Sequence, residues 1–399
     1  MKLRYADIQG FMSMDNIPRK PHRLPLGDVT VLLGANGSGK SNVLAFFKML
    51  HSLSLGNLSN FVGKYGADRL LHYGPKYTRH IDYMMFFDDD AEITYQARLA
   101  HSLSDGVYFV DERPELAWER VAYGQKAPDT YGSVKFRKYI DSDGIQCISG
   151  HYFVTANEKK LGESGLPLHG NEVSKRICDF LSGIHLYQFH DTGESSRIRG
   201  RCYIDDAQYL HPDGGNLAAF LKMLREHQDW NRYYERIVRH IRSVMPQFGD
   251  FELTPLPSAA DYVRLNWHDN SGNDYLFDPH QLSDGTLRFM ALATLLLQPP
   301  QLLPSLIVLD EPELGLHPDA IGKLGGIIRM ASHHAQVLLA TQSTRLVDEF
   351  DPEEIVIVEQ DNERKSTVLR QIDPEGLRDW LDQYSLSQLW EKNVLGGQP

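Results

Sequence analysis

The chain has 399 residues, with 41 Lys and Arg against 53 Asp and Glu and a net charge of −12. That length buries a sizeable core and fits one large domain carrying an insertion. The acidic balance argues against a protein whose main surface is a nucleic-acid glove, while leaving room for a local basic groove. No apolar run reaches the roughly 18 residues a membrane span needs. The start, Met1-Lys2-Leu3-Arg4-Tyr5, carries no signal-peptide pattern. Cys147, Cys178 and Cys202 form no C-x-x-C pair, so a cytoplasmic protein in a reducing compartment is expected, with no metal site among its cysteines.

Residues 1–95 predict a first lobe: strands at Leu3–Gln9, Val29–Leu33 and Ile81–Phe87 around a helix from Lys40 to His51. Between strand and helix stands Gly34-Ala35-Asn36-Gly37-Ser38-Gly39-Lys40-Ser41, a complete G-x-x-x-x-G-K-S. Phosphate oxygens need a ring of backbone N–H groups, and glycines let the chain curl tightly enough to supply it. Strand, glycine loop and helix N-terminus together make an anion site for a triphosphate. Asp88-Asp89-Asp90, after the third strand, reads as a charged turn.

Residues 96–250 predict an inserted α+β region. Strand-like pieces at Gly106–Val110, Gly144–Ser149 and His151–Thr155 precede amphipathic helices near Asn216–His227 and Tyr233–Met245. Lys135-Phe136-Arg137-Lys138 mixes an aromatic with cations, and fits an exposed strand equally well. Arg197, Arg199 and Arg201, in an extended segment, project from one face and place three charges together. With His190-Asp191 they could meet phosphates, though a solvated or partner-facing surface is the blander account.

Residues 251–399 predict a second lobe. It holds strands at Phe251–Leu256, Tyr262–Trp267, Leu306–Leu309, Val337–Thr341, Ile355–Glu359 and Ser366–Gln371, with helices at Leu287–Gln298 and Pro318–His333. The tail Leu377–Pro399 reads as a helix and a Gly-Gly-Gln-Pro end. Two signals stand out. Leu306-Ile307-Val308-Leu309 runs into Asp310-Glu311, an apolar strand ending in two carboxylates. Leu282-Ser283-Asp284-Gly285-Thr286 opens the preceding helix; by itself it is an ordinary N-cap.

Taken in this order, Gly34–Ser41, Gln281–Arg288 and Asp310-Glu311-Pro312-Glu313-Leu314-Gly315-Leu316-His317-Pro318 resemble the ABC-type ATPases of the RecF/SMC-like class. The likeness is nearest to compact AAA family ATPases without long coiled coils, related to the ATPase part of OLD-family proteins. It implies an α/β fold, an ABC-type P-loop ATPase head built from N- and C-terminal lobes with the inserted region between them. It further implies an ATPase that uses ATP and Mg²⁺. In that resemblance Gly34, Asn36, Gly37, Ser38, Gly39, Lys40, Ser41 and Asn42 hold the nucleotide, with Lys40 bridging the β- and γ-phosphates. Ser41 and Asp310 hold the metal, Glu311 polarises the attacking water, and Ser283 and Gly285 close on the γ-phosphate of an opposite subunit. Phosphoryl transfer needs charge neutralisation and water placement more than covalent chemistry, so these groups suffice. Glu313 reads as a structural or dimer-contact residue.

Two departures bear on rate and coupling. Where transporter-type ATPases carry a switch histidine, this chain has Gln342. Its amide hydrogen-bonds but carries no charge, so slow or partner-dependent hydrolysis is expected. The glutamine of the coupling loop is not fixed by sequence: Gln96 and Gln188 are both open.

The resemblance implies a homodimer or higher oligomer around ATP, switching DNA or a separate effector protein such as a nuclease, in phage defence or genome maintenance. The interval between lobes is too short for long coiled-coil arms, and lacks their 3.5-residue period. An alternative is the nucleotide-binding subunit of an ABC transporter, against which stand the insertion, Gln342 and the E-P-E-x-G-L-H-P string. A self-contained nuclease is disfavoured, because about 55 residues after Gln342-Ser343 cannot build a Toprim domain.

Overall fold

A computed structural model describes residues 1–16, 22–88, 92–102, 106–117, 134–140, 146–152, 163–164, 166, 172–361 and 363–397. The chain forms two compact units interleaved in sequence. The first comprises Met1–Gly27, Ala35–Ile184 and Val356–Gln371; the second comprises Asp28–Gly34, His185–Ile355 and Ile372–Pro399. Residues 96–250, expected as one inserted region, divide between the units at Ile184 and His185.

The first unit is built on a five-stranded antiparallel sheet in the order His22–Pro25, Lys2–Gln9, His80–Asp88, Glu92–His101, Val107–Ala117. In His80–Asp88 the buried positions alternate, Ile81, Tyr83, Met85 and Phe87, as a sheet with one covered face requires. The helix Lys40–Ser54 supplies the cover: Phe46 stands edge-on to Tyr83 at 5.5 Å and to Phe11 at 5.8 Å. Glu92–His101 turns Ile93, Tyr95, Ala97 and Leu99 inward. Sequence reading misses this strand because polar Glu92, Gln96 and Arg98 occupy its outer face. The two inward tyrosines carry their hydroxyls into the core, so a relay satisfies them. Tyr83 donates to Tyr95 at 3.1 Å, and Tyr95 donates to Glu112 at 2.7 Å.

The second unit contains the strands Ile184–Tyr187, Leu306–Asp310, Gln336–Thr341 and Val29–Leu33, adjacent in that order. The last three run parallel. Their sequences, LIVLD, QVLLAT and VTVLL, are apolar almost without alternation because both faces are buried. Around them pack the helices Leu217–Glu226, Asn231–Val244, Asp284–Leu297 and Pro318–Ser332. The expected strand Tyr262–Trp267 is two strands, Tyr262–Arg264 and Asn266–Asp269, which pair with Arg201–Tyr203 and Phe248–Glu252 respectively. Strand Phe248–Glu252 begins three residues before the expected Phe251, and the expected tail helix is two short ones, Arg378–Leu381 and Leu386–Glu391. No helix among the described residues is long and apolar enough to cross a membrane.

Several sequence readings fall on residues outside those described: Asp89 and Asp90 of the acidic turn, residues 144–145 and 153–155 of the expected strand pieces, and the side chains of Lys135–Lys138. Asp88 pairs with Arg4.

The loop after the first strand is held by Gly10, whose φ is +71° and whose position brings the His80 carbonyl oxygen within 2.2 Å of any added Cβ. Gly10→Ala must therefore displace backbone as well as strain φ. We expect it to cost about 1–3 kcal/mol, read as a lower denaturation midpoint in urea; an unchanged midpoint would contradict this packing.

Candidate nucleotide-binding site

Parallel register decides where the functional side chains emerge. Asp310 lies opposite Ala340, and Thr341 opposite Leu33. The strand ends Leu33-Gly34, Asp310-Glu311 and Thr341-Gln342 therefore leave the sheet at one carboxyl edge, where ligands of open α/β sheets bind. Buried strands cannot hold charge, so the chain's polar groups concentrate at that edge.

Beyond Gly34 the loop curls through left-handed glycines, Gly37 at φ +82° and Gly39 at +109°. The Lys40 ammonium folds back to donate to the Ala35 carbonyl at 3.0 Å, spanning the loop from its helix end. Ser38 is buried, and its hydroxyl has no partner among the described residues. An orphaned buried hydroxyl in a glycine cradle at a helix N-terminus suits a phosphate oxygen. Asn42 donates to Ser13 at 2.7 Å, and Thr367 Oγ1 lies 2.7 Å from the same hydroxyl and 2.9 Å from the Ser38 carbonyl. A Cβ at Gly39 would fall 2.0 Å from Thr367 Oγ1. Ser13 and Thr367, which brace the loop, carry no sequence signal because they lie far from it along the chain. Ser41 is exposed.

At the carboxylate strand, Glu311 occupies the left-handed region with φ +43°. For a non-glycine residue this is stored strain of order 1–3 kcal/mol, of the kind that clusters at functional sites. Its amide donates to the Ala340 carbonyl at 2.9 Å, and its carboxylate accepts from Gln342 Nε2 at 3.3 Å. Asp310 accepts from Gln188 Nε2 at 2.8 Å, and its carbonyl lies 2.9 Å from His190 Nε2. Of the two glutamines left open, Gln188 is thus on the carboxylate, while Gln96 sits in the antiparallel sheet beside Met84. His190, expected on a solvated or partner-facing surface or against phosphates, is exposed and also holds the end of the Asp310 strand.

Ser283 caps the helix Asp284–Leu297, accepting from the Thr286 amide at 3.1 Å; the helix starts three residues earlier than expected. A Cβ on Gly285 would lie 2.2 Å from the Gly315 carbonyl oxygen, so close packing alone demands glycine there. Arg288, unremarked by sequence reading, is buried and ties three backbone segments: it donates to Phe189 at 2.8 Å, to His190 at 3.3 Å, and to the Leu314 carbonyl. The cap of this helix, the Gln188–His190 segment and the loop after Glu311 are thereby one hydrogen-bonded assembly.

The three-arginine face does not form. Arg197–Arg199 is a 3-10 turn, not extended chain. Arg199 is buried and donates to the carbonyls of Thr192 (2.6 Å) and Leu282 (3.1 Å) and to Asp284 (2.7 Å). That guanidinium holds the Asp284 carboxyl below its usual range. Arg197 pairs with Asp213, and Arg201 lies 4.8 Å over the Tyr262 ring. A buried arginine demands acceptors, and these carbonyls supply them.

The family model described as "AAA domain, putative AbiEii toxin, Type IV TA system" matches residues 29–120 and 209–348. Among solved structures, an SMC head bound to the C-terminal winged-helix domain of ScpA is similar at a TM-score of 0.52 and 14% identity. That match covers 94% of this chain and 99% of the other. The head domain of Smc with an extended coiled coil, bound to the C-terminal domain of ScpA derived from Pyrococcus furiosus, is similar at 0.51 and 15%, covering 96% and 99%. No curated protein sequence matches this chain significantly. The fold is that of an ABC-type ATPase head of the RecF/SMC-like kind.

Glu313 is buried and accepts from Thr341 Oγ1 at 2.5 Å, and its second oxygen has no partner among the described residues. Burial pushes its carboxyl above the ordinary 4.5, the Thr341 hydroxyl opposes this, and the charge of Glu311 adds to it. An acid with a raised folded pKa binds more protons when native, so its contribution to stability falls as pH rises past the unfolded value. Glu313→Gln keeps an acceptor for Thr341 and loses the charge. Its stability relative to wild type should be lowest at and below about pH 4.5 and improve as pH rises above that value in urea titrations; parallel curves would count against a raised Glu313 pKa.

Proposed function

The chain belongs to this AAA domain family, and from that premise we propose that it binds and slowly hydrolyses ATP as an ABC-type nucleotide switch. The observation carrying the reading is the common strand edge, where Gly34, Asp310-Glu311 and Gln342 emerge side by side. The loop Gly34–Asn42 takes the phosphates on its backbone N–H groups, with the Lys40 ammonium neutralising the β- and γ-phosphates. Ser41 and Asp310 would hold Mg²⁺, which would supply charge neutralisation. Glu311 accepts the proton of the attacking water. Gln342 orients that carboxylate through a neutral amide, which fits slow turnover in the low part of the usual range of roughly 1–10³ s⁻¹ or below. Gln188 on Asp310 serves as the coupling glutamine.

The helix Asp284–Leu297 opens at Ser283 and Asp284 with the positive end of its dipole, suited to a γ-phosphate carried by a second copy. This supports an ATP-linked dimer with Ser283 and Gly285 facing the partner's nucleotide. The family's toxin–antitoxin description supports a separate protein partner as the output, in phage defence or genome maintenance.

Lys40→Ala should abolish ATP binding in calorimetry, because it removes the only side-chain cation in the phosphate loop; equal affinity in wild type and variant would defeat the assignment. Glu311→Gln should trap the closed dimer at saturating ATP, since it keeps the shape and weakens water activation. A monomer in light scattering under those conditions would exclude the composite site.

A further inference from the structure

Residues 57–79 are basic within an acidic chain: Lys64, Arg69, Lys76 and Arg79 stand against Asp68 alone. Asp68 is already 3.0 Å from His101. All four cations are exposed and have no ion pair among the described residues. Lys64 lies close enough to Lys48 to reinforce the effect of burial in lowering that ammonium's proton affinity. Between the cations lie Tyr77 and Tyr73, 81% and 58% exposed, the two most exposed large hydrophobics described. They meet edge to face at 6.0 Å, and Tyr73 in turn contacts His72 at 4.5 Å. Turn bonds from Gly74 to Leu71 and from Thr78 to Gly74 fix the segment.

A solvated face explains the charges but not the tyrosines. Exposed rings fixed in a turn and flanked by unpaired cations combine the two elements that hold an unpaired nucleic-acid strand, base stacking and phosphate neutralisation. We propose that Lys64, Arg69, Tyr73, Lys76, Tyr77 and Arg79 form a binding surface for single-stranded nucleic acid. A duplex keeps its bases stacked internally and offers the tyrosines nothing. An acidic protein is the competing occupant, and the test below separates it from a strand.

The same surface is joined to the phosphate loop. Met12 donates to Leu70 at 2.8 Å, His72 donates to Gly10 at 3.1 Å, and the His72 ring lies 2.9 Å from the Met12 carbonyl. The next residue, Ser13, is the one that Asn42 and Thr367 grip beside the loop. Strand binding should therefore respond to ATP. That response rests on the ATP-binding reading; the binding itself does not.

The test is fluorescence anisotropy of a labelled single-stranded DNA of about 20 nucleotides with the full chain, without nucleotide and then with ATP and Mg²⁺. Tyr73→Ser/Tyr77→Ser should weaken binding by about tenfold or more with an unaltered salt slope, and Tyr73→Phe/Tyr77→Phe should restore it. Lys76→Glu/Arg79→Glu should flatten the slope by about 0.7 per lost phosphate contact. Thermal melts matching wild type exclude misfolding. Calorimetry with ATP on the same proteins separates a failure of the nucleotide reading from a failure of this one. The proposal is overturned if wild type does not bind the strand at low salt, or if the serine variant binds as wild type does. It is equally overturned if a duplex binds as well and ignores the tyrosines, or if charge reversal costs a protein partner while DNA affinity holds.

Discussion

Burial of three parallel strands on both faces is the constraint from which the rest of the molecule follows. An apolar interior cannot carry Asp310, Glu311 or Gln342, so each is pushed to a strand end, and parallel direction makes it the same end. Covalent continuity does the remainder: Val29–Leu33 delivers Gly34 to that edge, and the glycine curl begins there. None of these side chains needs to be placed individually.

The edge is then stiffened by polar groups that burial compels to find partners. Arg288 and Arg199 are buried guanidiniums, and each repays its desolvation with several backbone carbonyls. Hydrogen bonds to charged groups are worth about 1.5–3 kcal/mol each, against surface ion pairs at about 0–1. The exposed Arg197–Asp213 pair is therefore incidental, and the two buried arginines organise the cap of the Asp284–Leu297 helix against the segments around it. Glu313 does similar service through Thr341, whose hydroxyl also accepts from the Ser343 amide at 2.9 Å. That fixes the turn presenting Gln342 to Glu311.

Glu311 shows the cost of this arrangement. Its left-handed backbone is unfavourable for a glutamate, and it persists because its amide and carbonyl are both engaged, to Ala340 and from Leu314. A carboxylate held in one place by its backbone has little conformational freedom left to lose on meeting a ligand.

Local chemistry made the first half of this legible in sequence. Gly34–Ser41 and Leu306–Glu311 announce themselves because a phosphate cradle needs glycines at fixed spacing and a buried strand needs uninterrupted aliphatics. Those requirements are met by neighbours in the chain, and the same holds for the expected strand at Ile81–Phe87, which the structure extends by one residue at each end. What sequence did not reveal depends on residues far apart meeting. Ser13 and Thr367 brace a loop from opposite ends of the chain. Gln188 was separated from Gln96 only by its contact with Asp310, 122 positions away. The spacing of Arg197, Arg199 and Arg201 suggested one charged face, yet a single 3-10 turn sent Arg199 inward, where carbonyls and Asp284 were waiting. Sequence alone marked out the glycine loop and the paired carboxylates as the candidates for phosphate chemistry, because spacing along the backbone is itself the geometry of such a cradle. Only the tertiary structure decided which charges face solvent and which hold the fold, because burial is settled by whatever packs against a residue from elsewhere in the chain.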